Sequence, residues 1–310
     1  MVLCSVQLLD VCNARAQMTR RLGRRPLLIT CAASLSLVGG RQALAAVPSL
    51  AAIEARHGGR LGVFVIETGS GRILAYRPDE RFTMCSTSKL LLAAQVLSRV
   101  ETGRESLARL VHYDTRDLSQ AGYPDFLCPV TAANVQRGAL TVGTLCRAMV
   151  EVSDNLAAIL LMRTIGGPAA LTGFLRSLGD DVTRSDRYEP ASNAYDGPRD
   201  TTTPRAITTT MKTILLGSTF SRQSRELLES WMIDATPGLR RLRASFPSSW
   251  MVGDKAGTNG PDETNDVAIA WRPGHSPLLA AAYYDAPRVD ADARDAALRE
   301  IGAAIATWTG

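Results

Sequence analysis

Apolar residues alternate or run continuously in strand-like stretches at both ends of the chain. Residues 60–82, RLGVFVIETGSGRILAYRPDERF, contain two such stretches around a Gly-Ser-Gly turn. Near the other end, three more follow one another: SSWMVGDKAG, NDVAIAWRPG and PLLAAAYYD. The last stretch, ADARDAALREIGAAIATWT, has apolar residues at helical spacing and predicts a closing amphipathic helix.

Helical spacing dominates between these strands. It occurs in TSKLLLAAQVLSRVE, TVGTLCRAMVEVSDNLAAILLMRTI, GPAALTGFLRSLG and TPRAITTTMKTILLG. This order predicts an α/β fold of the α+β sandwich type, in which both termini form an antiparallel sheet domain and an all-helical domain is inserted between them. We place the sheet part at residues 46–83 and 233–310 and the helical part at residues 84–232. The junction between the two parts is a natural position for a functional cleft.

The first 45 residues have the three parts of an export signal. Arginines lie in TRRLGRRP, the apolar run LLITCAASLSLVGG follows, and small residues in ALAA predict cleavage after Ala45. Met18 is an alternative start, and the paired arginines also fit the twin-arginine export route. A membrane anchor is disfavoured because the apolar run is shorter than the ~20 residues that a spanning helix needs. We therefore expect a periplasmic or secreted protein without stable membrane association after cleavage.

The composition is that of a globular protein. The 310 residues are 45% hydrophobic and 21% charged, enough for one large domain or two intimate subdomains. The net charge of +5 resides in the leader, because six of the 35 basic residues and one of the 30 acidic residues lie in residues 1–45. The 29 basic and 29 acidic residues that remain balance each other. A nucleic-acid partner therefore has no electrostatic support.

The cysteines predict no disulfide framework. Three of the six lie in the leader, which leaves Cys85, Cys128 and Cys146 in residues 46–310. An odd number in an oxidising compartment allows at most one disulfide within the chain. We favour small buried thiols for all three.

The stretch MCSTSKLLLAAQ places Ser86 at the start of an apolar helix, with Lys89 three residues later. This spacing puts both side chains on one helical face, and the helix N-terminus offers N–H groups and a positive dipole end to developing negative charge. A serine nucleophile activated by a lysine fits this pattern. Taken alone, however, the pattern fits a helix-capping serine beside a solvated lysine better.

Two further short motifs gain meaning only in combination. VSDN, with Ser153 and Asn155, is by itself more typical of a turn or a helix cap. DKAGTNG carries Lys255 and then Gly257, and a glycine inside a strand often marks the close approach of a ligand or of another backbone. The order SxxK, SDN and K-x-G resembles the signature set of serine β-lactamases and penicillin-binding proteins.

A polar loop distinguishes serine β-lactamases of class A from penicillin-binding proteins. SDRYEPASNAYDGPRDTTTP resembles the loop that class A β-lactamases carry and penicillin-binding proteins lack. In that resemblance Glu189 and Asn193 hold the hydrolytic water, and Arg187 with Asp200 forms the ion pair that pins the loop at its two ends. Without the other motifs, these residues would be interpreted as solvated surface.

From about Ser49 to the C-terminus the chain resembles a class A serine β-lactamase. The resemblance implies hydrolysis of the β-lactam ring of penicillins and cephalosporins through a serine acyl-enzyme, which confers antibiotic resistance. It also implies a monomer that acts on a small-molecule β-lactam and needs no cofactor.

The resemblance further implies how the ring is opened. Ser86 attacks the β-lactam carbonyl, and Lys89 takes its proton directly or in concert with Glu189 through water. The backbone N–H groups of Ser86 and Thr258 form the oxyanion hole, and Gly257 lets the two backbones come close enough.

The remaining roles concern substrate binding and the second step. Ser153 passes a proton to the departing ring nitrogen, Asn155 holds the amide side chain of the substrate, and Lys255 attracts its carboxylate. Glu189 and Asn193 then direct water at the ester.

The chain also departs from the family pattern. Ala256 stands where a threonine or serine is usual, and the loop after Asn193 is shorter than in the most familiar members. Arg241 falls where one group of the family keeps an arginine that reaches the substrate carboxylate; the alternative is a surface arginine. An aromatic residue usually walls the cleft before the SDN motif, and three candidates lie near that position: Tyr123, Phe126 and Leu127.

Other mechanisms find little support. The three histidines, His57, His112 and His275, lack metal-ligand spacing, and the chain has no G-x-S-x-G elbow of a Ser-His-Asp hydrolase. Two alternatives stay open. One is a D,D-peptidase or penicillin-binding protein, against which Glu189 argues. The other is a β-lactam-binding protein whose turnover is weakened at Ala256.

Overall fold

One antiparallel sheet of five strands is built from both ends of the chain, as predicted. The computed structural model describes residues 49–309. Its strands are β1 (Arg60–Glu67), β2 (Ile73–Tyr76), β3 (Phe82–Thr83), β4 (Leu110–His112), β5 (Ala139–Thr141), β6 (Thr201–Thr202), β7 (Met251–Thr258), β8 (Glu263–Trp271) and β9 (Leu278–Asp285). The five-stranded sheet has the order β2-β1-β9-β8-β7, and all of its neighbouring strands are antiparallel. The strand pairs β3–β6 and β4–β5 form two small sheets that the apolar pattern did not predict.

Most of the helices lie in the segment between β3 and β7. The helices are α1 (Leu50–His57), α2 (Ser88–Glu101), α3 (Thr115–Gln120), α4 (Pro129–Asn134), α5 (Val142–Glu151), α6 (Asn155–Ile165), α7 (Pro168–Ser177), α8 (Pro204–Leu216), α9 (Arg222–Ile233) and α10 (Ala291–Thr309). Among residues 49–309, no single helix is long and apolar enough to cross a membrane; α6 and α7 pass that test by length and composition only as a pair bent by 72°.

Residues 141–165, whose pattern predicts one helix, form α5 and α6 instead. The chain breaks at Ser153, whose φ of +59° lies in the left-handed region that side chains rarely adopt. The next residue, Asp154, starts α6 by accepting a hydrogen bond from the Ala157 N–H at 2.9 Å. The break brings Ser153 and Asn155 to the junction of the sheet and the helices.

The sheet is buried on both faces. Because side chains alternate along a strand, Val267 and Ile269 of β8 face the core of the helical part, whereas Ala268 and Ala270 belong to a second core that includes residues of α1 and α10. The second core is rich in alanine, so α10 packs close to the sheet. At Gly302 of α10, a Cβ atom would collide with the backbone of the turn at Leu242.

The helix α2 is the central helix of the helical part. Its leucines at 90, 91 and 92 are all buried, which is typical of a helix surrounded by core. The 3-10 turn Cys85–Thr87 precedes it and is fixed by the Thr87 hydroxyl, which donates to the Met84 carbonyl at 2.7 Å and bonds the Tyr283 hydroxyl at 2.8 Å. Ser86 is therefore held between the core helix and the sheet.

The predictions for the cysteines, the leader and the domain boundaries have different outcomes. Cys85, Cys128 and Cys146 are buried free thiols, as expected. The leader, with its alternative start and cleavage position, lies outside residues 49–309. The boundaries given for the sheet and helical parts stay a prediction.

Candidate active site

A cleft of about 760 Å3 lies between β7 and the helical part. The residues that the sequence motifs predict for the site and that line this cleft are Ser86, Ser153, Asn155, Asn193, Gly257 and Thr258. Arg241 and Ala256 also line this cleft. Lys89 and Lys255 are buried, with exposures of 1% and 0%. A charged ammonium group at either position therefore needs polar partners inside the protein.

Gly257 allows β7 to lie directly against the turn that carries Ser86. A Cβ atom at this position would lie 2.9 Å from the Met84 carbonyl oxygen and 3.2 Å from the Ser86 nitrogen, closer than side-chain carbons pack. Any larger residue would push the strand away from the turn. The glycine that interrupts DKAGTNG thus has a steric reason.

Lys89 is the centre of a polar cluster. Its Nζ donates to the Ser153 carbonyl oxygen at 2.9 Å and to the Asn155 Oδ1, and it lies 3.4 Å from Glu189 Oε1. These contacts join the SxxK helix, the SDN turn and the polar loop in one place. A buried lysine with a carboxylate and a serine within reach can exchange protons with both.

Ser153 lies between the two lysines. Its Oγ is 3.4 Å from Lys89 Nζ and 3.1 Å from Lys255 Nζ. When both amines donate to this oxygen, the Ser153 proton is left to point elsewhere, as a proton donor requires. Burial, and then the nearby Lys89, lower the pKa of Lys255 to about 7.

Glu189 and Asn193 present two buried acceptor atoms. Glu189 Oε2 and Asn193 Oδ1 have no hydrogen-bond partner among the described residues. The Asn193 amide nitrogen donates to the Tyr123 hydroxyl at 2.7 Å, which orients its oxygen. Two fixed acceptors of this kind can hold one water by its two O–H groups.

The loop that carries Glu189 is pinned by the predicted ion pair. Arg187 Nε lies 2.6 Å from Asp200 Oδ2, and the other oxygen of Asp200 accepts the N–H groups of Asp186 and Arg187 at 2.7 and 3.0 Å. Arg187 also donates to the Ala194 carbonyl at 2.7 Å. The pair therefore connects both ends of the loop with its middle.

Arg241 is not a surface arginine. It is 7% exposed, and its guanidinium donates to the carbonyl oxygens of Gly257 and Asn265 at 2.9 and 2.7 Å. Asp295 of α10 accepts its Nε at 2.8 Å. These bonds fix a positive charge beside Ala256, where the family pattern has a hydroxyl.

Comparisons with known proteins identify the family of this chain. A sequence model described as the β-lactamase enzyme family matches residues 45–309. The β-lactamase of Streptomyces albus G is 44% identical over 257 residues, which cover 80% of this chain and 81% of that protein. β-Lactamase L2 of Stenotrophomonas maltophilia is 42% identical over 84% of each chain.

Solved structures show the same likeness. The crystal structure of a β-lactamase from Burkholderia vietnamiensis is 57% identical with a TM-score of 0.82, and the match covers 86% of this chain and 97% of that one. A class A β-lactamase reconstructed as the last common ancestor of Gram-negative bacteria is 48% identical with a TM-score of 0.80, covering 85% and 99%. The chain belongs to the class A serine β-lactamases. The predicted fold is confirmed.

Sequence reasoning missed several residues that shape this class A site. Asp295 holds Arg241 from α10, and Tyr123 bonds Asn193 although the sequence indicated only an aromatic wall. At the cleft mouth, the side chains of Phe126 and Leu127 are exposed by 77% and 40%. Short-range patterns contain no signal for contacts such as these, which join distant segments.

Two carboxyl groups buried behind Lys255 were also missed. Asp254 lies 2.6 Å from the Arg243 guanidinium, and one oxygen of Asp266 accepts the Leu242 N–H at 3.2 Å. Burial raises the pKa of both carboxyl groups. Of the two, Asp254 is paired with a cation, and it places a carboxyl group next to the cationic part of the site.

Proposed function

We propose that this β-lactam hydrolase acts on penicillins and cephalosporins, with Ser86 as the nucleophile, and that it confers resistance to them. The observation that carries the proposal is the convergence on Lys89. One buried amine, on the helix that directly follows the Ser86 turn, reaches the SDN turn and the loop carboxylate Glu189. A serine in the turn before such a lysine, with a second base in contact with that lysine, can form an ester and then release it.

The first step opens the ring. Ser86 Oγ bonds to the β-lactam carbonyl carbon while its proton passes to Lys89, or to Glu189 through a water. The resulting oxyanion takes hydrogen bonds from the backbone N–H groups of Ser86 and Thr258. The ring C–N bond then breaks, and Ser153 supplies a proton to the departing nitrogen and is reprotonated through its lysine neighbours.

The second step releases the product. Glu189 takes a proton from the water held with Asn193, and the water oxygen bonds to the ester carbonyl carbon. The ester C–O bond breaks, and the proton returns to Ser86 Oγ. The unpartnered acceptor atoms of Glu189 and Asn193 support this assignment.

Substrate binding is assigned to the polar rim. Asn155 holds the amide of the acyl side chain, and Lys255 attracts the substrate carboxylate. Arg241 adds its charge to this carboxylate site, in which Ala256 offers no hydroxyl. Its fixed position beside Gly257 supports that role.

We also propose that the enzyme is exported to the periplasm or medium after loss of residues 1–45, and that it acts there as a monomer. The positive, apolar and small-residue parts of the leader support export. The balanced charge of the mature chain gives no reason to expect binding to nucleic acid or to a membrane surface.

Hydrolysis of a chromogenic cephalosporin by the purified protein tests the proposal against its two alternatives. A hydrolase gives continuous turnover at catalytic enzyme concentration. A slow-turnover binding protein gives one stoichiometric burst, and a D,D-peptidase is acylated without further colour change but cleaves a D-Ala-D-Ala peptide. Loss of turnover in Ser86→Ala would complete the assignment of Ser86 as the nucleophile.

A further inference from the structure

A second cleft of about 670 Å3 adjoins the catalytic cleft. Tyr195, Asn259 and Asp262 line both, so the two spaces share a boundary. The Tyr195 side chain at this boundary is 71% exposed and leaves the passage open to bulky groups. A substituent on a bound substrate can therefore extend from one cleft into the other.

The second cleft contains charges of both signs that are not used within the protein. Arg60 is neutralised by Glu80 and Asp285, each at 3.3 Å. Among the described residues, Arg81 has no carboxylate partner and Asp262 has no cationic partner, although both line the cleft. Arg81 uses one guanidinium nitrogen for the Val182 carbonyl and the Thr201 hydroxyl, so its other nitrogens are available to a ligand.

Glu263 is a third unused group in this cleft. It is 2% exposed and lines the cleft, yet its Oε2 has no hydrogen-bond partner among the described residues. Burial, with the neighbouring Asp285 carboxylate, raises the pKa of Glu263 to about 8. A ligand that brings a hydrogen-bond donor, such as an ammonium group, would satisfy this buried oxygen, because a protonated carboxyl group still accepts hydrogen bonds.

We propose that the second cleft is an outer subsite for β-lactams whose acyl side chain ends in an α-amino acid zwitterion. The ammonium group binds at Asp262 and Glu263 near the passage, and the carboxylate binds Arg81. A tail with only one charge satisfies half of this arrangement. The proposal rests on the hydrolase function, because the acyl chain must be held by the catalytic cleft.

The test compares four substrates on one β-lactam nucleus, with D-α-aminoadipyl, adipyl, 5-aminopentanoyl and pentanoyl side chains. We expect kcat/KM to be about tenfold higher for the aminoadipyl tail than for the pentanoyl tail, mainly through KM, with the singly charged tails between them. Arg81→Gln should reduce kcat/KM for the aminoadipyl substrate to the value for the 5-aminopentanoyl substrate. Asp262→Asn should reduce kcat/KM for the aminoadipyl substrate to the value for the adipyl substrate.

The exposed Arg222, which pairs with Glu226 on α9, offers a matched control. Arg222→Gln should keep the wild-type ranking of the four tails. Should Arg81→Gln fail to fold because its bonds to residues 182 and 201 are lost, Asp262→Asn decides alone. Equal kcat/KM for the four tails, with all four still hydrolysed, overturns the subsite but not the hydrolase. Equal kcat/KM for the four tails, together with binding of free D-2-aminoadipate that is lost in Arg81→Gln, would show that the second cleft binds a zwitterion but not the acyl tail of the substrate.

Discussion

Ala256 and Arg241 show how one substitution changes the chemistry of a site. A threonine or serine at position 256 would donate a hydroxyl to the substrate carboxylate, and a hydrogen bond to a charged group contributes ~1.5–3 kcal/mol. The fixed guanidinium of Arg241 lies on the same side of the cleft and can supply part of that energy. The two positions should therefore be coupled.

We predict that Ala256→Thr raises kcat/KM, more for cephalosporins than for penicillins, because the two ring systems hold their carboxylates at different angles. Arg241→Ala should lower kcat/KM by roughly 10- to 100-fold in the native background and by less when Ala256→Thr is present. A double-mutant cycle measures this coupling, with melting temperatures to show that each variant is folded. Additive effects would mean that the two residues do not share the carboxylate.

Lys255 should make substrate capture sensitive to pH. Its pKa is lowered to about 7, so the ammonium form that attracts a carboxylate is lost as pH rises through about 7 in the free enzyme. We predict that kcat/KM for penicillins declines above this pH. The bound substrate carboxylate raises the pKa again, so kcat should decline only at higher pH.

The pH profile of both constants checks this prediction. Asp254→Asn removes a neighbouring negative charge that favours the ammonium form, so it should move the decline of kcat/KM to lower pH. A kcat/KM that stays constant to pH 9 would show that Lys255 keeps its proton in the free enzyme.

Among the elements, the loop from Arg187 to Asp200 is held at its two ends by the Arg187–Asp200 pair. The Asp200 side chain is 3% exposed, so removal of Arg187 leaves a buried carboxylate without its cation. Loss of one partner of a buried pair typically costs ~3–5 kcal/mol, and the partial exposure of Arg187 reduces this toward ~2 kcal/mol. Arg187→Ala should lower Tm by several degrees and slow deacylation more than acylation, because the loop positions Glu189.

Arg199→Ala is the control within the same loop. The side chains of Arg199 and its partner Asp196 are 58% and 46% exposed, and Asp196 keeps Arg187 as a second partner, so this variant should keep the wild-type Tm to within about 1–2 °C. Equal melting temperatures and equal deacylation rates for the two variants would show that the Arg187 pair is superficial.

The elements also show where sequence patterns suffice. Strands β1 and β9 and the buried helix α2 follow from continuous apolar runs, because these residues can be accommodated only in a core. The break at Ser153 could not be predicted from periodicity, since apolar residues continue at helical spacing on both sides of it. It is imposed by Asp154, which bonds the N–H groups of Val130 and Thr131 across the fold.

At the scale of the whole molecule, the burial of acidic groups should make stability depend on pH. Burial raises the pKa of Glu263 in the folded protein from its ordinary value of 4.5 to about 8, so between these values the folded protein holds a proton that the unfolded chain releases. Stability contributed by this group is therefore lost as pH rises from about 4.5 to 8. We predict that Glu263→Gln, which stays neutral, is ~2–4 kcal/mol more stable relative to wild type at pH 8.5 than at pH 5.

Urea unfolding of both proteins at the two pH values measures this difference. Glu226→Gln on the surface of α9 serves as the control and should follow the wild-type pH dependence. Other buried acids are present in all three proteins and cancel in the comparison. If the free energy of unfolding changes equally with pH for wild type and Glu263→Gln, Glu263 is not protonated in the folded protein.

The whole molecule also explains which parts of the site could be predicted. Ser86, Lys89, Ser153 and Lys255 lie in short motifs whose order predicts them as site residues, and the fold places both lysines against Ser153. Asp295 could not be predicted because it meets Arg241 only after α10 packs on the sheet. Contacts that depend on how elements dock have no counterpart in local sequence.

Mass spectrometry of the acyl-enzyme tests the central claim most directly. After mixing with benzylpenicillin, Glu189→Ala should accumulate one covalent adduct on the peptide that contains Ser86, because loss of the general base slows deacylation by about 100-fold or more. Wild type should show the adduct only transiently, and Ser86→Ala should show none. An adduct on another residue, or wild-type turnover by either variant, would contradict the account.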